Sequence, residues 1–83
     1  YISIDLDVFD PGIMPAVGTP EPGGLDWFEV IDILRDVMRA DCNIVGFDIM
    51  ELSPIPGMVA PDFLAAKLCY RIMGWILARR EEK

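Results

Sequence analysis

Apolar and polar positions alternate at the start of the chain. Ile2, Ile4, Leu6 and Val8 interleave with Ser3, Asp5 and Asp7. A period of two is the mark of a strand, so residues 1–8 are predicted as one. Asp5 and Asp7 would then share a face, about 6.6 Å apart along it. The pattern stops at residues 10–24, which hold Pro11, Gly12, Pro15, Gly18, Pro20, Pro22, Gly23 and Gly24. That density of breakers predicts a loop, and a loop this long inside a compact domain is usually functional. Period 3.6 takes over next. Trp27, Val30, Ile31, Leu34, Val37 and Met38 form an apolar stripe, which predicts an amphipathic helix over 26–40. Asp26, with Glu29 three residues on, has the form of a capping box, and Arg35 and Arg39 lie toward the negative end of the dipole.

A continuous apolar run, Ile44-Val45-Gly46-Phe47, opens a second strand predicted over 43–52. Such a run is expected of a parallel strand covered on both faces. Ser53-Pro54-Ile55-Pro56-Gly57 ends it, and a second helix is predicted over 61–80. Pro61 suits its first turn, and Asp62 its positive end. Phe63, Leu64, Leu68, Cys69, Ile72, Met73, Trp75, Ile76 and Leu77 cover more than one side of that helix, so burial on several sides is expected. The order βαβα is the unit of an α/β fold with a parallel sheet and a right-handed crossover.

Composition sharpens this picture. With 83 residues the chain is at most one small domain, yet 53% of it is apolar, rich for a domain that must expose much of its surface. It begins at Tyr1 directly in a strand, as expected of the C-terminal part of a larger single domain, with residues 1–83 as one piece of it. A net charge of −7 argues against nucleic acid and against an anionic membrane surface, and suits a cation. Lys67 and Arg71 interrupt the run from Phe63 to Leu77, which is too short and too charged to cross a bilayer. Cys42 and Cys69 make no CxxC and no zinc spacing. They are read as two buried free thiols of a cytoplasmic protein.

In a parallel α/β sheet, ligands bind beyond the carboxyl ends of the strands. Asp5 and Asp7 lie at the end of the first predicted strand, Glu51 lies at the end of the second, and the Gly/Pro loop begins beside the aspartates. The three carboxylates are therefore expected to converge on one edge of the sheet. Carboxylates are hard ligands for Mg²⁺, Ca²⁺ or Mn²⁺, and bridged metal pairs activate water for attack on carbon or phosphorus. Glu51 could hold a cationic group by charge-assisted hydrogen bonds. The bland alternatives are two aspartates capping turns and one solvated strand-end glutamate. An EF-hand fails, because Phe9 and Asp10 stand where Asp or Asn and then Gly are needed. A haloacid-dehalogenase-type Asp-x-Asp phosphatase leaves Glu51 and the loop unexplained.

Ser3-Ile4-Asp5-Leu6-Asp7-Val8-Phe9-Asp10-Pro11 resembles a metal-binding signature of the ureohydrolase family, which contains the arginases and agmatinases. Pro15 through Leu25 continues it at the family's spacing, and Phe47-Asp48-Ile49-Met50-Glu51-Leu52-Ser53-Pro54 is similar to the family's late strand with its substrate glutamate. The resemblance implies the C-terminal βαβα portion of a three-layer αβα sandwich and a centre of two Mn²⁺ ions. It implies that Asp5 bridges the metals, Asp7 ligates one, Glu51 orients a guanidinium and Thr19 stands at the rim. Asp10 becomes a turn cap and Asp48 a buried strand aspartate. Glu21-Pro22-Gly23-Gly24 looks more like agmatinases than arginases, which implies a small cationic guanidino substrate, agmatine, cleaved to putrescine and urea in a trimer or hexamer. The family's other metal ligands and its proton-shuttling histidine lie on earlier strands, and this chain has no histidine. No residue of this chain is thus expected to act as a catalytic acid or base, and the chain alone is expected to be inactive. The competing readings are a non-catalytic family member and the Asp-x-Asp phosphatase with Mg²⁺.

Overall fold

The computed structural model describes residues 1–81. Strand β1 is Ile2–Asp5, helix α1 is Trp27–Arg39, strand β2 is Phe47–Met50 and helix α2 is Ala60–Glu81. The strands pair in parallel, with Ile2 opposite Phe47, Ser3 opposite Asp48, Ile4 opposite Ile49 and Asp5 opposite Met50. The βαβα order and the parallel pairing are those expected.

Both strands are shorter than their patterns predict. The chain leaves β1 after Asp5 and makes a single 3₁₀ turn, Leu6–Val8, closed by the Phe9 N–H donating to the Leu6 carbonyl at 3.2 Å. Leu6 and Phe9 are both fully buried. A continued strand would keep strict alternation and could not point both inward; the turn lets them do so. Asp7 therefore sits on the turn, not on the strand. In the second strand, Val45 is 69% exposed and Phe47 and Ile49 are half-buried, so this run is not covered on both faces. The reason is that both helices pack into one core. Val30, Ile31 and Leu34 of α1 join Leu68 and Ile72 of α2 around Ile4, with Ile2, Phe47 and Ile49 packed against them. The opposite sheet face carries Ser3, Asp5, Asp48 and Met50, and Asp48 is half-exposed, not buried.

Helix α1 follows its sequence closely. The Asp26 side chain accepts the Glu29 N–H at 2.8 Å, and the Glu29 side chain accepts the Asp26 N–H at 3.1 Å. Both bonds of the capping box are present. At the far end Arg39 stands in the last turn as expected, but other side chains make the contacts. Arg35 pairs with Asp32 at 3.1 Å, while the carbonyls of Met38, Ala40 and Cys42 accept from the Arg79 guanidinium of α2. Free carbonyls at a helix end need donors, and here they come from 37 to 41 residues away in sequence. Cys42 and Cys69 are free thiols, but Cys42 is exposed and Cys69 only half-buried, so neither is the buried thiol expected.

Candidate metal and substrate site

The loop that follows the 3₁₀ turn is pinned rather than loose. Its start and end meet: the Asp10 N–H donates to the Leu25 carbonyl, and the Leu25 N–H to the Val8 carbonyl, both at 2.9 Å. Phe9 stacks on Trp27 with ring centres 6.4 Å apart, seating α1 beneath this junction. Midway, Met14, Ala16 and Val17 are buried. The Ala16 carbonyl accepts the Ser53 N–H at 2.8 Å, and Val17 bridges to Leu52. The Gly/Pro loop is thus stitched to the segment just after β2, where Glu51 lies.

Asp5 ends β1 and is exposed, and Asp7 is half-buried on the turn. Both open on one cleft of about 550 Å³, walled by Val30, Leu34 and Val37 of α1 and with no lysine or arginine in its lining. Thr19 reaches this site from the loop: its hydroxyl donates to Asp7 Oδ2 over a long 3.4 Å. The structure therefore sets Asp5 and Asp7 on one cleft and Thr19 against Asp7. Glu51 does not line that cleft; it stands exposed beyond β2 with φ at 76°. Because Met50, the last residue of β2, pairs with Asp5, Glu51 follows at the same carboxyl edge of the sheet as the two aspartates, but outside their cleft.

Asp10 caps the turn as expected, accepting the Gly12 N–H at 2.9 Å and the Gly23 N–H at 3.2 Å. Asp48 accepts the Ser3 hydroxyl at 2.7 Å and the Tyr1 hydroxyl at 2.9 Å. These bonds follow from the register that sets Ser3 opposite Asp48. The hydrogen bond to Asp48, aided by desolvation and by the carboxylate's charge, raises the Tyr1 phenol above its ordinary value. No local pattern in the chain signals these bonds, since their partners lie more than forty residues apart.

Asp5 and Asp7, both on the lining of one cation-free cleft, are hard oxygen ligands that fit part of a metal's coordination shell. They do not complete one. Among the described residues no group of three or more histidine, cysteine, aspartate or glutamate side chains could hold a metal ion.

A parallel βαβα unit with acidic groups at the end of its first strand defines the class: an α/β domain of the kind that binds ligands beyond its strand ends. The comparisons name the family. Residues 1–74 match the Arginase family, and the chain belongs to it. It is 48% identical over 75 residues to the N(1)-aminopropylagmatine ureohydrolase of Synechocystis sp., covering 90% of this chain and 24% of that protein. It is 45% identical over 74 residues to the agmatinase of Pyrococcus horikoshii, covering 89% and 26%. The agmatine ureohydrolase of Thermoplasma volcanium superimposes with a TM-score of 0.78 at 41% identity, over 99% of this chain and 27% of that one. The fold is that of the arginases and agmatinases, and the chain spans about a quarter of the length of the curated relatives it matches. No helix among the described residues is long and apolar enough to cross a membrane.

Proposed function

We propose that this chain supplies part of the active site of a manganese-dependent ureohydrolase acting on a small cationic guanidino substrate, agmatine, to release putrescine and urea. One observation carries the reading: Asp5 and Asp7 open on a single cleft free of cations, with the Thr19 hydroxyl donating to Asp7. The similarity to agmatinases and aminopropylagmatine ureohydrolases supports it. In this reading Asp5 and Asp7 hold manganese, Thr19 stands at the rim and Glu51 accepts the guanidinium N–H groups. When bound, the metal pair supplies an activated water. An acidic surround suits a substrate cationic at both ends. The complete enzyme is a homo-oligomer, a trimer or hexamer, of the cytoplasm.

Two carboxylates alone make a weak metal site, so the 83-residue chain is inactive by itself and binds Mn²⁺ weakly. Titration calorimetry tests this; tight uptake of two Mn²⁺ ions by this chain would overturn it. In a protein of family length bearing this segment, Asp5→Ala lowers manganese content and activity together. Normal manganese with full activity would remove Asp5 from the ligand set. Glu51→Gln raises KM for the guanidino substrate and leaves metal content intact, and metal loss in that variant would refute its role as a substrate residue.

A further inference from the structure

The loop that carries Thr19 is held by a carboxylate the proposed chemistry does not use. Asp10 stands where the loop begins and binds both of its ends. Its Oδ2 accepts from Gly12 and its Oδ1 from Gly23, while its own N–H donates to Leu25. The junction has no slack. A Cβ at Gly24 would lie 2.6 Å from the Phe9 carbonyl carbon and the Asp10 nitrogen, and Gly23 turns its N–H toward Asp10 with φ at 89°.

The second fixture is Val17, buried and bridged to Leu52. Between Val17 and Gly23 run Gly18, Thr19, Pro20, Glu21 and Pro22, all exposed. No packing holds Thr19 in place, and two prolines stiffen the span. Its position follows from the two ends. Asp7, which accepts from Thr19, lies three residues before Asp10 on the same tight segment. Acceptor and clamp share one short stretch of backbone, so the clamp fixes the distance between the Thr19 hydroxyl and Asp7.

We propose that Asp10 is a positioning residue: by tying both ends of the loop, it sets the approach of Thr19 to Asp7 and thereby the rim of the site. The assignment of that rim to a guanidino substrate rests on the function proposed above; the clamp itself does not.

The test uses the 83-residue chain and needs no substrate. Three-bond couplings in NMR report the χ1 rotamer of Thr19, and amide exchange reports the bonds at Gly12, Gly23 and Ser53. In the unmodified chain Thr19 holds one dominant rotamer. In Asp10→Ala it averages over several, and exchange at Gly23 and Ser53 speeds up by about tenfold, the scale of one lost hydrogen bond. Asp10→Asn keeps one acceptor oxygen and gives an intermediate result. Asp7→Asn disturbs Thr19 but leaves Gly23 protected. A turn cap of purely local effect would alter Gly12 and Gly23 alone. A folded Asp10→Ala chain with Thr19 still in one rotamer would overturn the proposal. Should that variant fail to fold, an Asp10→Asn chain with unchanged Thr19 couplings would overturn it equally. Loss of the guanidino reading through the Glu51 and Asp5 variants would leave this result standing.

Discussion

Among single residues, Glu51 carries the clearest tension between stability and use. Its φ of 76° is the left-handed region, which costs a residue with a Cβ on the order of 1–2 kcal/mol. Strain of this kind persists where the surroundings impose it, and here the bridge from Leu52 to Val17 follows at once. Glu51→Gly removes the strain but adds freedom to the unfolded chain, so a net gain of about 0.5–1 kcal/mol is expected from urea unfolding midpoints. A loss of stability would show that the position is unstrained. Nothing in the sequence marks this residue as left-handed, since a glycine is the usual signal and glutamate stands there. Asp5, Asp7 and Thr19 stand out in the sequence because a motif is a local fact, and their roles belong to the function proposed above. Tyr1 offers a second test at this scale. Its bond to Asp48 raises the folded pKa above the unfolded value, so its contribution is full below the unfolded value, about 10, and is lost as pH rises through the folded one. Phenolate absorbance, assigned with Tyr1→Phe, should show the Tyr1 midpoint fall in Asp48→Asn. An unmoved midpoint would mean that the bond does not form in solution.

Elements were legible to the degree that their determinants are local. Helix α1 ends within a residue of its predicted limits because its start is written in Asp26 and Glu29, three positions apart. Both strands are shorter than their patterns predict, because alternation shows which residues can extend, not where a partner strand stops. β1 gives way at Leu6 because Leu6 and Phe9, three residues apart, are both buried, which continued alternation does not allow. At the far end of α1 the last-turn cation was legible, since Arg39 stands there, but the distant donor was not: Arg79 reaches the carbonyls of Met38, Ala40 and Cys42. A planar guanidinium can serve several acceptors at once, and an ammonium is a point charge. Arg79→Lys should therefore lose most of what Arg79→Leu loses, about 1–2 kcal/mol, with faster amide exchange at the last turn of α1 in both. A lysine variant as stable as the parent would mean that charge at the helix end suffices.

At the scale of the whole molecule, the unresolved matter is apolar surface. The sequence predicted that α2 needs cover on several sides, and the described residues cover one. Leu68 and Ile72 are fully buried, whereas Phe63, Tyr70 and Leu77, each seven residues after the last, are 68%, 80% and 56% exposed. Seven residues are close to two helical turns, so the three lie on one exposed face, and exposed apolar area of this kind marks a surface that meets something. The two faces should answer mutation oppositely. Leu68→Ala opens a cavity in the core and should cost about 2–5 kcal/mol. The pair Phe63→Lys and Tyr70→Lys removes little packing inside the chain, since both side chains are mostly exposed, and should leave the melting temperature of the 83-residue chain nearly unchanged while lowering its binding of a hydrophobic dye. Thermal melts followed by circular dichroism, with dye fluorescence on the same samples, separate the outcomes. A large drop in melting temperature for the Phe63 and Tyr70 pair would place that face within the fold of the chain itself.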